Sequence, residues 1–182
     1  MVEEKVALNG LILLKPSVYQ DNRGLFFESF NSSIFYGIVD EKKDFSQDNI
    51  SISKKSVLRG LHFQKPPMAQ AKLVQVIKGS VLDVTVDIRV NSPTYGKHYK
   101  VELSDKNKLQ LWIPEGFAHG FLALEDDTVF SYKCTAAYSK SDEMDLKWND
   151  PSLNIDWGIK SPLISDKDEF ATSFKNFNSP FK

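Results

Sequence analysis

The run "SVLDVTVDIRV", Ser80 to Val90, constrains the fold most. Leu82, Val84, Val86 and Ile88 alternate with Asp83, Thr85, Asp87 and Arg89. That two-residue period belongs to a β-strand, whose successive side chains point to opposite faces. "LQLWIPEG", "HGFLALED" and "TVFSYKCTAAY" are further short β-rich runs bounded by turn residues. "DNRGLFFESF" reads as a turn into a strand, and "NSPTYG" and "LSDKNK" as loops. Many short strands at regular spacing predict an antiparallel sandwich or barrel. Helix signals are few. "NSSIFYGI" is expected to hold a short helical turn. "ISDKDEFATSFKNF" predicts a C-terminal helix starting at Ser165, with Asp166, Asp168 and Glu169 favourable in its first turn. Phe170, Phe174 and Phe177 recur at near-helical spacing and are read as core packing, as is the segment from Trp148 to Trp157.

The length of 182 residues suits one domain, 1–182, with a helical tail from about residue 162 packed on a β core. Net charge is −1 with both signs interleaved, so no basic face is offered to a nucleic-acid backbone. The one cysteine, Cys134, has no partner for an internal disulfide and is expected to be a small core residue. No apolar run is long enough to span a bilayer, and "MVEEKVALNG" does not read as a signal peptide. A soluble cytoplasmic protein is expected.

The stretch "RGLHFQKPPMAQAKLVQVIKG", Arg59 to Gly79, has the frame of a metal site without its ligands. Cupin jelly rolls bind metal through one block of roughly His-x-His, Glu, six residues, Gly, and a second of roughly Pro-x-Gly-x-x-His. Here His62 is followed by Gln64 in place of a second histidine, and Lys72 replaces the glutamate before Gly79. "PEGFAH" supplies Pro114, Gly116 and His119. The fold expected is therefore mainly β, a cupin-like antiparallel jelly roll (double-stranded β-helix) with short helices, notably near the C-terminus. A cation neither ligates a metal nor tolerates one beside it, so no metal is expected.

A positive charge in a closed β cavity suits negative charge developing on a substrate oxygen. That points to an enolate formed next to a ketone. His62 is the candidate base, because an imidazole ordinarily titrates near neutral pH. Lys72 would hold the oxygen. Tyr132 shares a strand face with Phe130 and Cys134, so its hydroxyl is expected to point inward as the acid.

"VLRGLHFQ", "QAKLVQVIKGSVLDVTVDIR", "SPTYGKH", "QLWIPEGFAHGFLAL", "FSYKCTAAYS" and "WNDPSLNIDWGI" together resemble the dTDP-4-dehydrorhamnose 3,5-epimerase family, from about Gly10 to Asp168. The resemblance implies a jelly-roll homodimer acting on dTDP-4-keto-6-deoxy-D-glucose, with no cofactor. It implies His62 as base, Tyr132 as acid, Lys72 as enolate stabiliser and Asp168 as the carboxylate orienting the histidine. It also implies substrate contacts from Arg23, Glu28, Gln47, Asp48, Asn49, Arg59, Lys72, His119, Tyr138, Glu143 and Lys167. Arg59 suits a diphosphate, which a planar guanidinium grips in two places.

Each residue also has an ordinary reading. Alone, His62 would be a packed structural histidine, Tyr132 a core tyrosine, and Lys72 a solvated strand-edge lysine. Arg23 and Arg59 would be surface ion-pair partners of little energetic weight. His119 could be a relic of an ancestral metal site. Three rival functions stay open here: a single-site 3- or 5-epimerase of a related 4-keto nucleotide sugar, a metal-dependent cupin using His62 and His119, and a non-catalytic sugar-nucleotide-binding jelly roll.

Overall fold

A computed structural model describes residues 1–39 and 42–182. In chain order the elements are β1 (Val2–Lys5), β2 (Ile12–Lys15), β3 (Val18–Asp21), β4 (Gly24–Phe27), α1 (Ser32–Val39), β5 (Gln47–Ser53), β6 (Leu58–Gln64), β7 (Lys72–Lys78), β8 (Ser80–Asp87), β9 (His98–Ser104), β10 (Gln110–Ile113), β11 (Phe117–Ala123), β12 (Thr128–Cys134), β13 (Glu143–Asp145) and α2 (Asp166–Glu169). One sheet has the order β1-β2-β10-β7-β12-β5 and the other β13-β6-β11-β8-β9, while β3 and β4 form a separate hairpin. All these pairings are antiparallel. The expectation of a mainly β jelly roll with short helices holds. No helix among the described residues is long and apolar enough to cross a membrane.

The interior between the sheets packs Val74, Val76, Leu111 and Phe130 of the first against Val81, Leu103 and Phe121 of the second. This is the usual interdigitation of two inner faces. A second core lies outside the second sheet, where Val84, Val86 and Ile88 meet Trp148, Leu153, Trp157 and Phe177. The alternation in β8 is real, but the apolar face points outward under the C-terminal segment. The polar face, Asp83, Thr85 and Asp87, points inward and is fully buried. A third cluster docks Phe35 of α1 on Trp112, Leu14 and Leu73 across the first sheet.

The C-terminal helix begins where expected, with the Ser165 hydroxyl accepting from the Asp168 N–H. It ends after four residues. The Thr172 N–H is then drawn to Asp145 and its carbonyl accepts from Lys147 N–H, which pulls the chain into extended form. A single three-residue 3₁₀ turn, Phe174–Asn176, completes the tail's helical content. Phe174 and Phe177 pack on the outer core, but Phe170 is 83% exposed, contrary to the expectation from its spacing. Cys134 is free and buried as expected, and the Trp157 indole N–H donates to the Trp148 carbonyl inside the packed segment.

Candidate active site

Arg59 and His62 are three residues apart on β6 and would normally face opposite ways. The register between β6 and β11 pairs His119 with His62 but Phe121 with Arg59, so β6 carries one extra residue. This bulge turns both side chains to the same inner face. It requires the glycine of "RGLH". Gly60 has φ of +129°, and a Cβ there would lie 2.5 Å from the Gly120 Cα.

Both residues open onto a cavity of about 370 Å³ that is also lined by Lys72, His119, Tyr132 and Asp168. A second cavity of about 310 Å³ adjoins it and shares His62, Lys72 and Tyr132. His62 comes from the second sheet, whereas Lys72 on β7 and Tyr132 on β12 come from the first. Gly79, with φ of +82°, closes the turn from β7 to β8; a Cβ there would meet Thr128 Oγ1 at 2.6 Å.

His62 Nε2 lies 2.5 Å from Asp168 Oδ1. The other Asp168 oxygen accepts from Ser165 Oγ at 3.0 Å, so the cap of α2 also orients the carboxylate. Burial works to raise the Asp168 pKa. The hydrogen bond and charge of His62, with Ser165 and Lys167, outweigh it and leave the carboxyl lowered. Burial lowers the Lys72 pKa, opposed by Cys134, Asp83 and Glu143. Burial raises the Tyr132 phenol and keeps it protonated at neutral pH. His119 Nε2 lies 2.8 Å from Oδ2 of the buried Asp83.

The second cavity is rich in neutral amides. Gln47, Asn49, Gln64 and Gln70 line it with Tyr138 and Glu143. The Gln47 carbonyl oxygen accepts from the Tyr138 N–H at 2.8 Å and its amide donates to Asn49 at 2.8 Å. Glu143 links the Tyr138 hydroxyl (3.0 Å) to Lys167 (2.6 Å). Burial pushes the Glu143 pKa up, but Lys167, Tyr138 and the charge of His62 bring it down overall.

Arg59, Lys72, His119, Tyr132, His62 and Asp168 are thus brought together in one cavity wall, and Gln47, Asn49, Tyr138 and Glu143 in the adjoining one. Lys167 reaches the second through Glu143. Three residues named from the resemblance stand elsewhere. Asp48 lies on the outer face of β5, paired with Lys133 at 2.9 Å. Arg23, 86% exposed, pairs with Asp21 in the β3–β4 turn. Glu28 is exposed just beyond β4 and accepts from Asn31. Sequence reasoning missed Ser165 and Asp83 as site residues; the cap signal marks the first, while the second becomes visible only once the fold turns the polar face of β8 inward.

The donors do not fit a metal. Gln64, at the second ligand position, donates to the Met68 and Ala137 carbonyls and accepts from the Ser139 N–H. Lys72 stands at the carboxylate position, and His62 and His119 are each tied to an aspartate. Among the described residues no three His, Cys, Asp or Glu side chains converge as a metal site.

Two jelly-roll sheets enclosing carboxylate-held histidines, a lysine and a half-buried tyrosine place the protein in the cupin-like class, with groups suited to acid–base chemistry in one cavity. The sequence matches the family model for dTDP-4-dehydrorhamnose 3,5-epimerase over residues 5–176. It is 52% identical over 164 residues to the dTDP-4-dehydrorhamnose 3,5-epimerase of Shigella flexneri, covering 90% of this chain and 91% of that one. The crystal structure of the enzyme of that name from Elizabethkingia anophelis superposes with a TM-score of 0.92 at 47% identity, covering 97% of each chain. The dTDP-6-deoxy-D-glucose-3,5-epimerase of Legionella pneumophila, in complex with dTDP-4-keto-L-rhamnose, superposes with a TM-score of 0.93 at 42% identity, covering 97% of this chain and 94% of that one. The chain belongs to the dTDP-4-dehydrorhamnose 3,5-epimerase family, a family of isomerases.

Proposed function

We propose that the protein inverts C3 and C5 of dTDP-4-keto-6-deoxy-D-glucose to give dTDP-4-keto-L-rhamnose. The observation that carries this reading is the division of the site between two sheets. His62 approaches from one and Tyr132 with Lys72 from the other. A sugar ring between them meets a base on one face and an acid on the other, which is what inversion requires.

With Nε2 engaged by Asp168, the basic nitrogen of His62 is Nδ1. It takes the proton from the carbon beside the C4 ketone, and the electron pair moves onto the ketone oxygen as an enolate. Lys72 stabilises that oxygen. Tyr132 delivers its proton to the opposite face of the same carbon as the enolate returns to the ketone. His62 loses its proton to solvent and Tyr132 regains one, so protons balance. C3 and C5 both flank C4, and one site serves both. There is no net redox change, so no redox cofactor is called for. The amide-rich cavity beside Tyr138 suits a pyrimidine base, whose edge offers both donors and acceptors, and Arg59 suits the diphosphate.

The same reading takes the enzyme as a cytoplasmic homodimer. Tyr19, Leu25 and Phe26 are exposed on the β3–β4 hairpin, and Ile50 and Ile52 on β5, an edge strand of its sheet. Exposed apolar edges of this kind are normally covered. A partner's site would also give Arg23 and Glu28 a substrate to touch. A monomer by sedimentation equilibrium at micromolar concentration rejects the dimer.

The activity is tested by NMR of dTDP-4-keto-6-deoxyglucose incubated with the protein in D₂O without added metal or cofactor. Deuterium at both C3 and C5 with the L-rhamno product is expected. Deuterium at one carbon only indicates a single-site epimerase, and exchange at neither rejects this substrate.

A further inference from the structure

A second buried histidine–carboxylate pair stands at the cavity, and the proton transfers above give it no task. Asp83 lies on the inward face of β8 and is 0% exposed. Its Oδ2 lies 2.8 Å from His119 Nε2, and its Oδ1 has no hydrogen-bond partner among the described residues. Leaving one oxygen of a buried carboxylate unpaired carries a desolvation cost that the fold gains nothing from. An apolar residue would fill this interior more stably, as Val81 does on the same face. Asp83 therefore has a role beyond packing, and the atom it addresses is on a residue of the cavity wall.

The chemistry of the pair restricts that role. A carboxylate only accepts hydrogen bonds, so it draws the imidazole proton to Nε2. Nε2 is the only ring nitrogen of His119 with a hydrogen-bond partner among the described residues. Nδ1 is left with its lone pair. We propose that Asp83 is a positioning residue that holds His119 as the Nε2–H tautomer, so that Nδ1 accepts a hydrogen bond from a hydroxyl of the bound sugar. His119 is then a hydroxyl reader and not a donor to the ketone, which leaves the developing oxyanion to Lys72. Two observations agree with this. The ring is fixed from a second side by Phe130, stacked 6.1 Å away at 22°. Asp83 is also among the groups that oppose the effect of burial on Lys72, so its charge serves both residues. The substrate hydroxyl rests on the epimerase reading; the tautomer does not.

The test is ¹⁵N NMR of the histidine rings in the ligand-free protein, with His119 assigned by the signal lost in His119→Gln, beside turnover of wild type and Asp83→Asn. Wild type is expected to carry the His119 proton on Nε2 alone. In Asp83→Asn a near-isosteric group that both donates and accepts replaces one that only accepts, so nothing any longer holds the proton on Nε2. Turnover is expected to fall about 10²-fold or more, the scale of losing one aimed polar contact or fixing a wrong tautomer, while the amide spectrum stays that of the folded protein. A proton on Nδ1 in the wild type, in the neutral ring or the imidazolium, overturns the proposal. So does a folded Asp83→Asn variant that keeps wild-type turnover. If Asp83→Asn does not fold, the wild-type tautomer alone decides. A wild type that turns over no substrate rejects the epimerase reading, and the tautomer is still read.

Discussion

His62 and His119 face each other in register across the β6–β11 pair, yet each gives its Nε2 to a different aspartate. Asp168 takes one at 2.5 Å and Asp83 the other at 2.8 Å. A shared metal would need ring lone pairs from both aimed at one point. Two separate carboxylates pin the rings in independent orientations, and Lys72 lines the same cavity. The positions that hold ligands in a metal-binding cupin carry here the groups that the proposed acid–base mechanism uses.

His62→Ala is expected to slow deuterium exchange at C3 and C5 by at least the 10²–10⁴-fold typical of losing a general base. Binding of dTDP should stay largely intact, because Gln47, Asn49 and Tyr138 are held by β5 and the segment after β12. Exchange is read by NMR in D₂O and binding by calorimetry. Substantial exchange surviving in the variant removes His62 as the base.

Tyr132→Phe separates the two proton transfers. The base on the opposite sheet is untouched, so deuterium should still enter at carbon as His62 returns a solvent deuteron to the face it attacked. Inversion should be lost. Product configuration and isotope content in one spectrum check this. Equal loss of exchange and inversion would count against Tyr132 as the acid.

Asp87 anchors the loop after β8. It accepts from Arg89 Nε at 2.9 Å and from the hydroxyls of Ser92 (2.6 Å) and Thr94 (2.7 Å). Burial pushes its pKa up, but these donors bring it from 3.8 down to about 2. At 1.36 kcal/mol per unit, that is about 2 kcal/mol of stability. The sign follows from a depressed carboxyl: the contribution is complete above the unfolded value and is lost as pH falls through the folded one. Asp87→Asn should therefore destabilise by about 2 kcal/mol at pH 7. By pH 3 roughly half of that difference should remain. Denaturant unfolding of both proteins at the two pH values checks it, and a pH-independent difference would show that the charge of Asp87 is not what matters.

The strands and the gathering of His62, Lys72 and Tyr132 at one cavity were legible because they rest on local signals. Alternation marks β8, and the spacing from Lys72 to Gly79 marks the cupin frame. The face of β8 was not legible as to direction. In a two-layer fold either face can be interior, and here Trp148, Trp157 and Phe177, far along the chain, cover the apolar one. Other long-range contacts ended the C-terminal helix early. Phe170 carries a helical spacing, but the bond from Thr172 N–H to Asp145 takes the backbone elsewhere. The bulge that places Arg59 beside His62 is written in "RGLH" only as a glycine, whose meaning depends on the close approach of Gly120.

Lys72 offers the sharpest separation of function from stability. Burial lowers its pKa from 10.5. Between the folded and unfolded values the unfolded chain binds more protons, so stability rises with pH across that window. Below the folded value the ammonium is held at its full cost to the fold. Removing it in Lys72→Met keeps the unbranched side chain to within one atom of its length and discards the charge. Turnover is expected to fall about 10²–10³-fold, the loss typical of one oxyanion-stabilising group. Stability at pH 7 should be unchanged or higher, because the buried charge is gone. Turnover and chemical denaturation of the same preparation decide. A variant that loses stability together with activity would show that Lys72 serves Glu143 and Cys134 as a structural cation, and the enolate would need another partner.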